Sequence, residues 1–162
     1  MKRLSALLLC LLLDHGLRVG EVSRLQVSDL DLALGELRFY RPKVDRTQLH
    51  RLTADARRAA KAYATAGDMP AEGPLLRGSR RGGALTGAGM SERAITARVR
   101  ELGAAVGAAG LSAHDLRHAW ATRAARNGTP LDRLQDAGGW SSPAMPLRYV
   151  EAARVANEGV RV

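Results

Sequence analysis

The sequence predicts an α+β domain that is mostly helical and carries one small antiparallel sheet. Three observations lead to this fold class: an apolar run over residues 4–13, two short strand-like segments joined by a proline-containing turn, and repeated helix-capping signals in the C-terminal third. With 162 residues, the chain is long enough for one domain with a hydrophobic core and too short for two full ones. We therefore expect a single domain over residues 1–162.

The composition is strongly basic and indicates a polyanionic partner. The formal net charge is +9, the sequence pI is about 10.9, and 22 arginines stand against three lysines. The planar guanidinium suits bidentate phosphate contacts, although GC-rich coding gives the same bias, and basic chains also occur in ribosomes and at membrane surfaces. A single cysteine, Cys10, excludes an internal disulfide and favours a reducing cytoplasm.

The N-terminal segment has two interpretations. Lys2 and Arg3, followed by the apolar run over residues 4–13, resemble the start of a signal peptide. However, Asp14, His15 and Gly16 follow in place of a small-residue cleavage site, and ten apolar residues are too few to span a bilayer. We predict a buried helix that ends at His15 and Gly16 in a cytoplasmic protein, with no membrane partner.

The next segments predict a short helix and a hairpin. A helix over residues 19–25 would place Arg18 and Glu21 about one turn apart. Residues 37–40 and 48–52 have strand character, and the turn over residues 42–46 puts Lys43 near the hairpin tip.

The middle of the chain alternates between helix and loop. Thr53 is a good N-cap for an alanine- and arginine-rich helix through about residue 66. Residues 67–89 are rich in glycine and are predicted to be mostly loop. Helical periodicity returns over residues 91–108.

Three capped helices are predicted in the C-terminal third. Ser112 and Asp115 match a capping box, which places His114 and Arg117 together on the outward face of the first turns, and residues 127–128 end this helix. The pairs Thr129-Pro130 and Ser142-Pro143 each combine an N-cap with a proline at the first helical position.

An imidazole, a guanidinium and a phenol on consecutive short helices are the groups needed to attack a phosphodiester. The candidate catalytic residues are Arg18, Lys43, His114, Arg117, Trp140 and Tyr149, with Glu21 and His118 as supporting residues. Each also has an ordinary structural interpretation, such as a surface arginine, a solvated turn lysine or a core aromatic. His114 and His118, at i and i+4, are spaced like metal ligands, but a third ligand is not evident and Arg117 between them would repel a cation.

Five features follow one another along the chain: Gly16-Leu17-Arg18-Val19-Gly20-Glu21, Lys43, His114-Asp115-Leu116-Arg117-His118, Gly138-Gly139-Trp140 and Tyr149. This ordered set resembles the catalytic domain of the tyrosine recombinases, the phage-integrase family. The resemblance extends from about residue 4 to residue 150. The resemblance implies a site-specific recombinase that works without a metal or other cofactor.

The resemblance also implies a role for each site residue. Arg18 and Arg117 would clamp the scissile phosphate, with Glu21 holding Arg18. Lys43 would protonate the leaving 5′ oxygen, and His114 would exchange a proton near the phosphate. Trp140 would donate a hydrogen bond to the phosphate and shield it, while His118 would be structural. Tyr149 would be the nucleophile that forms a 3′-phosphotyrosyl bond.

The sequence departs from the family pattern in three places. The glycine-flanked lysine common in the family is replaced by Arg41-Pro42-Lys43-Val44-Asp45, and Pro146 lies within the Tyr149 helix, which it would loosen. We expect an N-terminally truncated catalytic domain that lacks the family's N-terminal DNA-clamping domain. The family implies double-stranded DNA as partner, a homo-tetramer on DNA through the tail after Tyr149, and a monomer in free solution.

Two other functions are compatible with these residues. A type IB topoisomerase shares the chemistry, although the compact His114–His118 box and its short interval to Tyr149 favour the recombinase. A non-catalytic DNA-binding remnant would keep the fold without turnover. A Tyr149→Phe variant would behave like the parent protein in that case.

Overall fold

The computed structural model describes residues 1–80 and 83–154. Its helices are α1 (Lys2–Leu13), α2 (Val19–Val22), α3 (Ala54–Thr65), α4 (Glu92–Ala105), α5 (Ala113–Arg126), α6 (Leu131–Gly138) and α7 (Ala144–Ala153), and its strands are β1 (Leu30–Asp31), β2 (Glu36–Arg41), β3 (Arg46–Arg51), β4 (Arg77–Ser79) and β5 (Leu85–Gly89). The predicted α+β class with a small antiparallel sheet is confirmed. Residues 155–162 of the predicted docking tail, and residues 81–82 of the predicted loop, lie outside the described residues.

Helix α1 is the centre of the main hydrophobic core. Its side chains at Leu4, Leu7, Leu8, Leu11 and Leu12 are at most 1% exposed. The helix packs against α3 and α5, so its apolar surface is covered on more than one side, as the sequence predicts. Within residues 1–80 and 83–154, no helix is long and apolar enough to cross a membrane.

The three-stranded sheet carries the predicted hairpin. Strands β2 and β3 pair antiparallel from Glu36 with Arg51 to Arg41 with Arg46, and β1 adds to the other edge of β2. A single 3-10 turn over Pro42–Val44 connects β2 and β3 and places Lys43 at the tip. The turn closes through Asp45 at a left-handed φ of 45°, and the Tyr40 hydroxyl donates to its carboxylate at 2.7 Å.

The structure adds a hairpin to the segment that the sequence predicts to be mostly loop. Residues 67–89 contain a second hairpin, in which β4 and β5 pair antiparallel, and the Arg77 guanidinium donates to the Thr86 carbonyl at 2.7 Å. Glycine lacks the side chains from which strand alternation is recognised, so the pattern did not predict these strands.

Two predicted caps are shifted by one residue. Helices α6 and α7 begin after Pro130 and Pro143, which themselves occupy the N-cap positions predicted for Thr129 and Ser142. Pro146 therefore lies in the first turn of α7, where a backbone N–H has no intrahelical partner. The expected loosening of this helix does not follow, because proline removes no hydrogen bond there.

The first prediction concerns the role of α1 in the core. Leu8 is fully buried, so Leu8→Ala should lower the free energy of unfolding by about 2–5 kcal/mol. Leu34→Ala is the matched control, because Leu34 is 67% exposed and its truncation leaves no cavity. Urea unfolding of both variants measures the difference, and equal stabilities would show that α1 is not part of the core.

Candidate active site

The C-terminal end of α6 is the point at which the site is assembled. Four consecutive carbonyl oxygens each accept a hydrogen bond from a side chain of a different segment: Asp136 from Gln48 at 2.8 Å, Ala137 from Arg41 at 2.9 Å, Gly138 from Arg117 at 2.6 Å and Gly139 from Arg18 at 3.0 Å. The last carbonyls of a helix lack intrahelical partners and carry partial negative charge. Three arginines are thus gathered where a helix most favours positive charge.

The sequence Gly138-Gly139 makes this gathering possible. Gly139 has a left-handed φ of 59°, and a Cβ there would overlap the Arg41 guanidinium. A Cβ on Gly138 would overlap the ring of Trp140. Both positions therefore require glycine, because side chains occupy the space that a Cβ would fill.

Arg18 is held by the carboxylate predicted for it. Its Nη1 donates to Glu21 Oε1 at 2.9 Å, and its backbone N–H donates to Glu21 Oε2 at 2.8 Å. Glu21 is itself buried, and Arg41 Nε lies 3.8 Å from the same carboxylate. The Arg18 side chain is thus fixed at the entrance of α2 while part of it remains accessible.

Arg117 is buried rather than facing outward beside His114. Its two Nη atoms donate to the carbonyls of Gly16 and Gly138, and its guanidinium carbon lies 4.6 Å from the centroid of the Trp140 ring. The first turns of α5 face the loop after α1 and the end of α6, which explains the burial. Burial, and then the charge of Arg18, lowers the pKa of Arg117 to about 9, so the group remains charged at neutral pH.

One cleft of about 560 Å³ brings five predicted residues together. They are Arg18, Lys43, His114, Arg117 and Trp140. Three cationic side chains line the cleft, and a fourth, Arg41, lies against Gly139 in its wall. These cations outnumber the nearby carboxylate of Glu21. Because the arginines are held mostly by neutral carbonyls, the excess positive charge is left for an anion.

Tyr149 lies next to this cleft and does not line it. The residue is buried, and its hydroxyl is 2.9 Å from His118 Nδ1. Its ring centroid lies 5.9 Å from that of Trp140. Burial raises the pKa of Tyr149 above its ordinary value, and the charge of Arg117 opposes this shift.

Arg41 is a site residue that the sequence analysis missed. It is fully buried at the end of β2, and burial lowers the pKa of its guanidinium to about 10. Strand alternation could have found it, because Leu37, Phe39 and Arg41 share one face of β2 and the first two are apolar.

Two other kinds of site are relevant to function: a second cleft and a metal-binding cluster. A second cleft, of about 570 Å³, lies beside His15 and His50 and contains none of the predicted site residues. In the part of the chain that the structure describes, no group of three or more His, Cys, Asp or Glu side chains is placed to hold a metal ion.

Comparisons with known proteins identify the fold. The fold matches the XerA recombinase with a TM-score of 0.74 and 24% identity, over 92% of this chain and 58% of that one. It also matches the XerH site-specific recombinase bound to its difH substrate, with a TM-score of 0.70 and 23% identity, over 91% of this chain and 43% of that one. The fold is therefore that of a tyrosine-recombinase catalytic domain.

The sequence itself shows the family. The model of the phage integrase family matches residues 2–155, so the chain belongs to this family. The integrase of Salmonella phage P22 is 48% identical over 40 residues, which are 25% of this chain and 10% of that integrase. The chain thus spans less than two thirds of each of these relatives.

The second prediction tests the packing at Gly139. Gly139→Ala should lower the free energy of unfolding by about 1–2 kcal/mol through backbone strain. Overlap of the new Cβ with Arg41 should lower it by about another 1–3 kcal/mol. Gly128→Ala is the matched control, because Gly128 has a φ of 78° and no neighbour within 4 Å of an added Cβ. Equal losses in urea unfolding would show that Arg41 does not occupy this space.

Proposed function

We propose that this protein is a site-specific DNA recombinase that cleaves and rejoins strands through a 3′-phosphotyrosyl intermediate. The observation that carries the proposal is the positively charged cleft that is lined by Arg18, Arg117, Lys43 and His114, with Tyr149 beside it. Phosphoryl transfer depends on neutralising the charge that develops on the transferred group. The guanidinium and ammonium groups of the cleft supply that neutralisation.

The proposed roles are those that the family resemblance implies, and the positions of the residues support them. Arg18 and Arg117 bind the non-bridging oxygens of the scissile phosphate, and Lys43, on the exposed turn, protonates the leaving 5′ oxygen. His114 exchanges a proton at the edge of the cleft, and Trp140 donates a hydrogen bond and shields the phosphate from water.

The tyrosine oxygen attacks phosphorus as the bond to the 5′ oxygen breaks. The product is a 3′-phosphotyrosyl bond and a free 5′ hydroxyl. The phosphodiester bond energy is kept, so a 5′ hydroxyl of a second strand can reverse the step without ATP. No cofactor takes part in this sequence.

The proposed substrate is double-stranded DNA. The net charge of +9 supports it, and the similar XerH recombinase is described in a complex with its difH DNA. A homo-tetramer on DNA, a monomer in free solution and a cytoplasmic location belong to the same proposal.

A non-catalytic DNA-binding function is the second candidate. The observation that favours it is the position of the Tyr149 hydroxyl, which is hydrogen-bonded to His118 outside the cleft. In that case, the cleft would bind a backbone phosphate without cleaving it.

The third prediction separates these two functions. A pool of duplexes nicked next to the scissile phosphate should trap a covalent adduct, because the short cleaved fragment diffuses away and prevents religation. The adduct should appear on a denaturing gel and map to Tyr149 by mass spectrometry.

Tyr149→Phe should abolish this adduct. Tyr63→Phe is the control and should retain it, because Tyr63 lies buried in α3 and does not line the cleft. DNA binding without an adduct, or an adduct on another residue, would contradict the proposed chemistry.

A further inference from the structure

The hydroxyl of Tyr149 contacts a histidine that is not part of the cleft wall. His118 lies one helical turn after His114 on α5, and its Nδ1 is 2.9 Å from the Tyr149 oxygen. The two rings meet edge to face, with centroids 5.1 Å apart. The phenol donates this hydrogen bond when the imidazole carries its own hydrogen on Nε2.

We propose that His118 is the catalytic residue that accepts the proton of Tyr149, an inference that rests on the proposed function. As the tyrosine oxygen forms its bond to phosphorus, its O–H bond breaks and the proton passes to Nδ1. His118 becomes an imidazolium, and the 5′ oxygen leaves with a separate proton from Lys43. In the rejoining step, His118 returns the proton to the tyrosine oxygen.

Tyr149 needs such an acceptor. Burial raises the pKa of its hydroxyl, so the phenol keeps its proton at neutral pH. Arg117, whose charge acts on this tyrosine, cannot take the proton, since a guanidinium is a donor only. Among the described residues, His118 is the side chain that forms a hydrogen bond with the Tyr149 hydroxyl.

His114 and His118 have different neighbours, so the proton of Tyr149 passes to His118, and His114 donates a hydrogen bond to the phosphate instead of exchanging a proton. The His114 ring lines the cleft together with Arg18 and Lys43, whereas His118 contacts the nucleophile. The two imidazole centroids are 4.6 Å apart, so the His118 ring lies between His114 at the edge of the cleft and the Tyr149 hydroxyl. His118 is also exposed, so that water can exchange the accepted proton.

The test uses two substitutions at His118 in the nicked-duplex assay. His118→Asn keeps a hydrogen-bond acceptor near the position of Nδ1 but cannot take a proton, and His118→Ala removes both. Single-turnover adduct formation should fall by about 10²- to 10⁴-fold in both variants, the range of a lost general base. Added imidazole should restore part of the rate in His118→Ala, which a purely structural role would not allow.

A sulfur-substituted substrate locates the defect on the reaction path. A 5′-bridging phosphorothiolate releases a thiolate that needs no proton, so it should restore Lys43→Ala but leave both His118 variants slow. Restoration of the His118 variants would overturn the proposal, because His118 would then act on the leaving group.

The other outcomes are equally distinct. A normal or increased rate in His118→Asn or His118→Ala would overturn the assignment and show that the contact only holds the hydroxyl in place. Absence of any adduct with the parent protein would instead refute the proposed function itself. Thermal unfolding of each variant confirms that the rates are compared between folded proteins.

Discussion

The carbonyl oxygens at the C-terminal end of α6 are the constraint on which the rest of the site depends. Three arginines and Gln48, from three parts of the chain that are distant in sequence from α6, converge on four successive carbonyls. A helix C-terminus is negative and short of hydrogen-bond donors, so it attracts such groups without neutralising them. A cluster of carboxylates would also have held the arginines, but it would have cancelled the charge that a phosphate requires.

The gathering of arginines at the end of α6 buries two guanidinium groups close to other positive charges. Burial and mutual repulsion lower the pKa values of Arg117 and Arg41, which means that their charged forms are less stable than in water. Glu21 relieves part of this repulsion, since it contacts Arg18 and lies near Arg41. In the proposed complex with DNA, the negative charge of a phosphodiester would relieve more of this repulsion.

Local signals in the sequence predicted much of this molecule. The Ser112 capping box, the Thr53 cap and the apolar periodicity of α1 depend on near neighbours, and the structure contains each of them. The contacts that the sequence did not predict are long-range. The burial of Arg41 depends on α6 lying across the end of β2, and the contact between Tyr149 and His118 depends on the packing of α7 against α5. The hairpin of β4 and β5 was missed for the opposite reason, because its glycines leave no side-chain pattern.

The proposed chemistry requires the cleft to neutralise the charge of a phosphate. The most direct test compares Arg18→Ala with the parent protein on nicked duplexes that carry either a phosphodiester or a neutral methylphosphonate at the scissile position. Arg18→Ala should lose about 10²- to 10³-fold in rate on the charged substrate, the usual effect of removing one electrostatic contact to a transition state, and little on the neutral one. An equal loss on both substrates would contradict the proposed chemistry, because Arg18 would then support the fold rather than neutralise the phosphate.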